Sequence, residues 1–229
     1  MSTDRTVTAI AFDAYGTLFD VYAIGALAEE MFAGKGAQLA EVWRVAQIDY
    51  TRIRALSGRY RDFWAITGDA LDFAAQKIRI RMDAGQRKAL MAQYARLDAF
   101  PENADVLRAL KGRGLRLAIL SNGTDDMLAS AVAAAGMSGL FAHVLSVDSA
   151  KTFKTAPQAY QLGPNAFGCE ANEIVFVSSN GWDVCGATWF GYRTFWVNRA
   201  GNVLDNLGVS PHGEGRSLAD LPGFVESLK

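Results

Sequence analysis

The chain has 229 residues, half of them hydrophobic and 21% charged, which suits a globular protein with one sizeable core plus a subdomain and excludes disordered and fibrous classes. A formal net charge of −1 provides no pull toward nucleic acid or an anionic membrane surface, so small-molecule work is the default. No apolar stretch approaches the roughly 20 residues of a membrane span, residues 1–8 are polar with no signal-peptide core, and a cytoplasmic location is expected.

Residues 7–11, Val-Thr-Ala-Ile-Ala, form an apolar run that reads as a buried strand, and Phe12-Asp13-Ala14-Tyr15-Gly16-Thr17 carries it into a glycine turn. Open α/β sheets gather reactive groups outside the carboxyl ends of their strands, where a carboxylate can attack an electrophilic carbon or phosphorus. Asp13 is therefore a candidate nucleophile. Residues 18–97 hold no convincing strand: Ile24, Leu27 and Met31 share one helical stripe, and Val42, Val45, Asp49, Ile53 and Leu56 share another. Asp83 is placed to cap a further helix running through Leu97, before Phe100-Pro101 breaks the pattern. This reads as a helical cap subdomain, residues 18–98, inserted into a core formed by residues 1–17 and 99–229.

Strand-helix alternation resumes at Asn103, with a helix to about Arg113 and Gly114 as its stop. An apolar run, 115–120, ends in Ser121-Asn122-Gly123, and a helix at 126–135 stops at Gly136. A short strand at 144–147 precedes Lys154, the run 174–177 ends in Ser178-Ser179-Asn180, and 194–197 is the last plausible strand. The pattern predicts an α/β fold: a Rossmann-like, doubly wound, mainly parallel sheet covered by helices on both faces, with the helical cap inserted. Four polar stations then converge on one crevice, namely Asp13 with Thr17, Ser121 with Asn122, Lys154, and the 178–180 turn with Asp183. Cys169 and Cys185 are too few for a disulfide framework, and His143 and His212 lie too far apart for a histidine metal centre or a serine-histidine triad.

These motifs resemble the haloacid dehalogenase superfamily, and over nearly the full chain they are most similar to its L-2-haloacid dehalogenases. The resemblance is carried by Asp13 to Thr17, by Trp43-Arg44 in the cap, by Ser121-Asn122-Gly123, and by the segment from Ser178 to Asp183. Most members of the superfamily are phosphatases, with a second aspartate two residues after the first that protonates the departing alkoxide. Here that position is Tyr15, and a halide ion leaves without a proton. Phosphatase members also bind magnesium through several carboxylates in the last segment, where this chain has only Asp183. A site without metal or cofactor is expected.

The resemblance implies hydrolysis of (S)-2-haloalkanoic acids to (R)-2-hydroxyalkanoic acids and halide. Asp13 would displace halide from C2 with inversion, forming an ester that water then cleaves at the aspartyl carbonyl. Thr17 and Ser178 would orient Asp13 by hydrogen bonds, Lys154 would keep it ionised, and Asp183 with Asn180 would hold Lys154 or orient the water. Tyr160 would position the substrate or Lys154. Arg44 with Asn122 would cradle the halide, and Ser121 with backbone N–H groups after Asp13 would take the substrate carboxylate. Tyr15, Ile48, Phe63 and Trp182 would wall the alkyl pocket, and the group that activates the water stays open. A homodimer is implied too.

Two other readings compete: a magnesium-dependent phosphatase or phosphomutase of the same fold, and a non-catalytic phospho-acceptor or binding module, in which the long cap has no use. Three departures from the family pattern stand out. Val45-Ala46 follows Arg44 where relatives carry polar residues, and Thr155 takes the place of a proline after Lys154. Gly163-Pro164 should kink or restart the helix after Tyr160.

Overall fold

The computed structural model describes residues 6–228, so residues 1–5 of the polar start and the two end positions of the expected core segments lie outside the described residues. Six parallel strands form one sheet: β1 (Ala9–Phe12), β2 (Arg116–Ser121), β3 (His143–Ser146), β4 (Ile174–Ser178), β5 (Arg193–Val197) and β6 (Gly213–Gly215). Their order is β3-β2-β1-β4-β5-β6. Every residue of β1 and β4 is buried, as central parallel strands covered on both faces must be. The chain winds outward from β1 to β3, then returns to the other side of β1 to lay down β4. The topological switch point thus lies between β1 and β4, where open α/β sheets place their ligands.

Between β1 and β2 come α1 (Ile24–Met31), α2 (Gly36–Ser57), α3 (Phe63–Lys77), α4 (Ala84–Tyr94) and α5 (Asn103–Gly112). The later helices are α6 (Asp125–Ala134), α7 (Pro157–Tyr160), α8 (Leu162–Phe167), α9 (Gly181–Phe190) and α10 (Leu221–Ser227). Asp83 starts α4 through a capping box with Gln86, as its position implies. That helix stops at Tyr94, three residues short of the expected Leu97. Gly163-Pro164 does restart the helix after Tyr160, with Gln161 separating α7 from α8. Among the described residues, no helix is long and apolar enough to cross a membrane.

Three readings need correction. The stripe through Val45, Asp49, Ile53 and Leu56 faces outward, whereas α2 buries Leu39, Trp43, Ala46, Gln47, Ile48 and Thr51. Polar Gln47 and Thr51 sit inside because their side chains find partners there. The sheet continues past 194–197 into β6, whose Gly-Glu-Gly sequence lacks strand propensity but pairs with the open edge of β5. Val147 belongs to a 3-10 turn rather than to β3, and α3 starts from Asp62, whose side chain accepts the Ala65 N–H.

Candidate active site

Asp13 leaves β1 with its backbone N–H still donating to the Val177 carbonyl of β4 at 2.9 Å, so the switch point itself sets the direction of its side chain. The chain then turns sharply through Gly16 at φ +91°, where a Cβ would also crowd the Ser179 hydroxyl at 3.2 Å. This turn brings Thr17 back beneath the carboxylate. Asp13 Oδ2 accepts from Thr17 Oγ1 and from Asn180 Nδ2, both at 2.9 Å, and Oδ1 accepts from Lys154 Nζ at 3.0 Å. Thr17 Oγ1 in turn accepts the Ser179 N–H at 2.8 Å, which leaves its single proton for the charged oxygen.

Lys154 is 1% exposed, and its ammonium lies between two carboxylates, with Asp183 Oδ2 at 2.9 Å on the far side. It also sits 4.8 Å from the centre of the Phe176 ring. Burial works against the Lys154 charge, but Asp13 and Asp183 outweigh it and raise the pKa above the ordinary lysine value. Burial pushes the Asp183 carboxyl up to about 6, against the pull of Lys154. Tyr160 donates to Asp183 Oδ1 at 2.7 Å, and burial followed by the Asp183 charge raises its phenol far above the usual range, so it remains a donor. Tyr192 donates to the Tyr160 carbonyl at 2.6 Å and fixes that short helix from behind.

Arg44 reaches the same place from α2. Its Nη2 donates to the Tyr15 carbonyl at 3.2 Å and to Asn180 Oδ1 at 3.3 Å, while Nη1 donates to Gln47 Oε1 at 2.8 Å. The ionisable cluster around Asp13 thus holds two carboxylates and two cations, so it is neutral before any anion enters. Asn122 Oδ1 accepts the Lys154 backbone N–H at 3.0 Å, which leaves its NH2 group as the available donor. Ser121 Oγ accepts from the Gly123 N–H at 3.2 Å and likewise retains its proton to donate.

The apolar side is a string of rings. Tyr15 stacks on Tyr94 at 5.4 Å and meets Phe63 at 5.7 Å, which in turn packs on Phe153. Gly123 is required beneath Tyr15, because a Cβ there would lie 2.8 Å from the ring. Burial, then Tyr94 and Asp13, raises the Tyr15 phenol well above its ordinary value, so no acid stands two residues after Asp13.

Asp13, Thr17, Arg44, Lys154, Tyr160, Asn180 and Asp183 are joined in one hydrogen-bonded network, with Asn122 attached through the Lys154 backbone and Ser121 at the end of β2. Ser178 Oγ accepts the Asn180 N–H at 3.1 Å, which helps position Asn180 and leaves the hydroxyl proton to donate. Ile48 is buried on α2. Trp182 is only half-buried and packs under the Arg52 guanidinium at 5.2 Å, rather than joining the Tyr15 and Phe63 rings. Gln47, Tyr94 and Tyr192 escaped the sequence reading. Gln47 alone carried a signal, since three residues after Arg44 puts it on the same helix face.

A family model described as haloacid dehalogenase-like hydrolase matches residues 7–191. The chain is 44% identical over 207 residues to haloacetate dehalogenase H-2 of Moraxella sp. (strain B), covering 90% of this chain and 92% of that one. It is 43% identical over 221 residues to the (S)-2-haloacid dehalogenase of Pseudomonas sp. (strain YL), covering 96% and 95%. A crystal structure of the L-2-haloacid dehalogenase from Xanthobacter autotrophicus with covalently bound chloropropionic acid superposes with a TM-score of 0.92 at 34% identity, covering 98% of this chain and all of that one.

Proposed function

The chain belongs to the haloacid dehalogenase-like hydrolases, and from that premise we propose that it hydrolyses (S)-2-haloalkanoates to (R)-2-hydroxyalkanoates and halide through an ester on Asp13. The observation that carries this reading is the setting of Asp13, a carboxylate with a buried tyrosine, not an acid, two residues on. Oδ2 accepts two hydrogen bonds and Oδ1 one, so Oδ1 keeps a lone pair for attack.

Oδ1 attacks C2 opposite the halogen, the carbon-halogen bond breaks with its electron pair on the halide, and C2 inverts. Arg44 and the Asn122 amide receive the halide. The Ser121 hydroxyl and backbone N–H groups after Asp13 hold the substrate carboxylate, while Tyr15, Phe63 and Ile48 wall its alkyl side and Trp182 closes the outer edge. Water then attacks the aspartyl carbonyl carbon, and the charge that develops on Oδ2 falls on donors already in place, Thr17 and Asn180. The acyl-oxygen bond breaks, one of the water's protons passes through the Lys154–Asp183 pair to the departing alkoxide, and the other leaves to solvent as the carboxylate is restored. The hydroxy acid keeps its inverted centre and Asp13 is regenerated.

Chloride release from L- and D-2-chloropropionate, each with and without EDTA, tests the reading beside an aryl phosphate with magnesium. Monochloroacetate, which lacks a stereocentre, is a further arm. Release from the L form alone, insensitive to EDTA, is expected; magnesium-dependent phosphate release with no halide would replace this reading with the phosphatase. The pH dependence follows from Asp183, which holds Lys154 and Tyr160 only when ionised. With its carboxyl pushed up to about 6, turnover is present above that pH and falls as pH drops through it. A kcat profile flat from pH 5 to 8 would refute this assignment.

The reading extends to a homodimer in the cytoplasm. Val45, Ile53 and Leu56 on α2 and Phe73 on α3 expose apolar surface suited to a second copy. Light scattering at high concentration tests the dimer, which a monomer mass would exclude, and cell fractionation tests the compartment.

A further inference from the structure

Gln47 is fully buried on α2, one turn after Arg44, in a position where an amide has to be accounted for atom by atom. Thr67 Oγ1 gives its only proton to the Phe63 carbonyl at 2.7 Å, so toward Gln47 it acts as acceptor, taking the Nε2 N–H at 2.7 Å. This fixes the amide: Nε2 faces α3, and Oε1 faces Arg44 and Tyr94. Oε1 accepts Arg44 Nη1 at 2.8 Å and the Tyr94 hydroxyl at 3.1 Å. Gln47 is closer to the guanidinium than the Tyr15 carbonyl and Asn180, which are 3.2 and 3.3 Å away, and the Tyr94 hydroxyl faces it as well. Tyr94 ties this arrangement to the pocket, since its ring stacks on Tyr15 and packs against Trp43.

We infer that Gln47 is a positioning residue that holds the Arg44 guanidinium in line with the departing halide without neutralising its charge. The inference rests on the halide-displacing reading of the site. A glutamate of the same size would still accept from Arg44, but it would cancel the positive charge offered to the halide and set a second acceptor against the Thr67 oxygen. A methionine would keep the volume and release the guanidinium. Chloride is the poorer and more compact leaving group, so it depends more than bromide on a fixed cation.

The test compares L-2-chloropropionate with L-2-bromopropionate for wild type, Gln47→Met and Gln47→Glu, reading kcat, KM and Tm. Gln47→Met is expected to lower kcat for the chloro substrate by about tenfold to a hundredfold, with a smaller loss for the bromo substrate and little change in KM. Gln47→Glu is expected to lower the chloro-to-bromo ratio in the same direction although its contact with Arg44 survives. Equal losses on both substrates, or an effect confined to Tm, would mean that Gln47 only packs the cap and would overturn the inference. If Gln47→Met fails to fold, Thr67→Val replaces it, because it removes the acceptor that orients the amide; an unchanged ratio there also overturns it. A wild-type protein that releases neither halide would instead refute the reading of the site.

Discussion

Replacing Asp13 by Asn is expected to lower halide release by on the order of 10⁴-fold or more, the scale on which enzymes lose rate when their nucleophile is removed. Two effects combine. The neutral amide oxygen is a poor nucleophile toward C2, and the geometry around it is disturbed. Lys154 has only protons to offer, so it draws the Asn oxygen into the place of Oδ1 and turns the new NH2 group toward Thr17 and Asn180. Thr17 can swing its proton to the Ser179 hydroxyl at 3.2 Å, but the Asn180 NH2 cannot become an acceptor. Asn180 is then pushed away, and one contact of Arg44 is loosened with it.

The same residue provides a stricter test in the wild type. With enzyme in excess over substrate in ¹⁸O-water, the first turnover is expected to leave the heavy oxygen in the Asp13 carboxylate and none in the hydroxy acid. Labelled product in that first turnover would rule out the ester and require direct attack of water on C2.

The site was legible in the sequence wherever a polar residue follows a buried strand. Asp13, Ser121, Ser178 and Asn180 all stand at strand ends marked by an apolar run and a turn, and a parallel sheet has no choice but to align those ends. Lys154 follows a loop rather than a strand, yet it lies in the network even with Thr155 behind it. What was not legible depends on partners distant in sequence. On α2 the apolar stripe pointed to the wrong face, because Gln47 is buried by virtue of Thr67 and Tyr94, 20 and 47 residues away. Ser178 reads as a partner of Asp13, and its link to the backbone N–H of Asn180 two residues on is one that only the folded turn reveals. β6 exists because β5 leaves an edge to pair with, which no local propensity announces. Tyr192 acts only through the backbone of Tyr160.

Lys154→Met is expected to destabilise the fold as well as abolish turnover. The ammonium is buried between two buried carboxylates, and removing one partner of such a set costs about 3–5 kcal/mol. For a protein of this size that corresponds to a fall in Tm of roughly 6–20 °C near neutral pH. The dependence on pH distinguishes this cause from simple loss of packing. In the wild type the folded pKa of Lys154 is raised, so its stabilisation is complete below the ordinary lysine value and is lost only as pH rises through the higher folded value, in the alkaline range. Between pH 5.5 and 8 the lysine itself does not titrate, and in the wild type the change in that window comes from the Asp183 carboxyl, pushed up to about 6.

In the variant, Asp183 faces Asp13 without the cation, and that repulsion, added to burial, raises the Asp183 carboxyl further. A raised folded carboxyl pKa means that the folded state binds more protons than the unfolded one, so the variant regains stability as pH falls from 8 to 5.5. Scanning calorimetry of both proteins at the two pH values should therefore show the gap in Tm narrowing on acidification. A gap of the same size at both would place the damage in the lost packing on Phe176 and not in the charges. Turnover should not return at the lower pH, because the proton that relieves the repulsion sits on Asp183, which the reaction needs ionised.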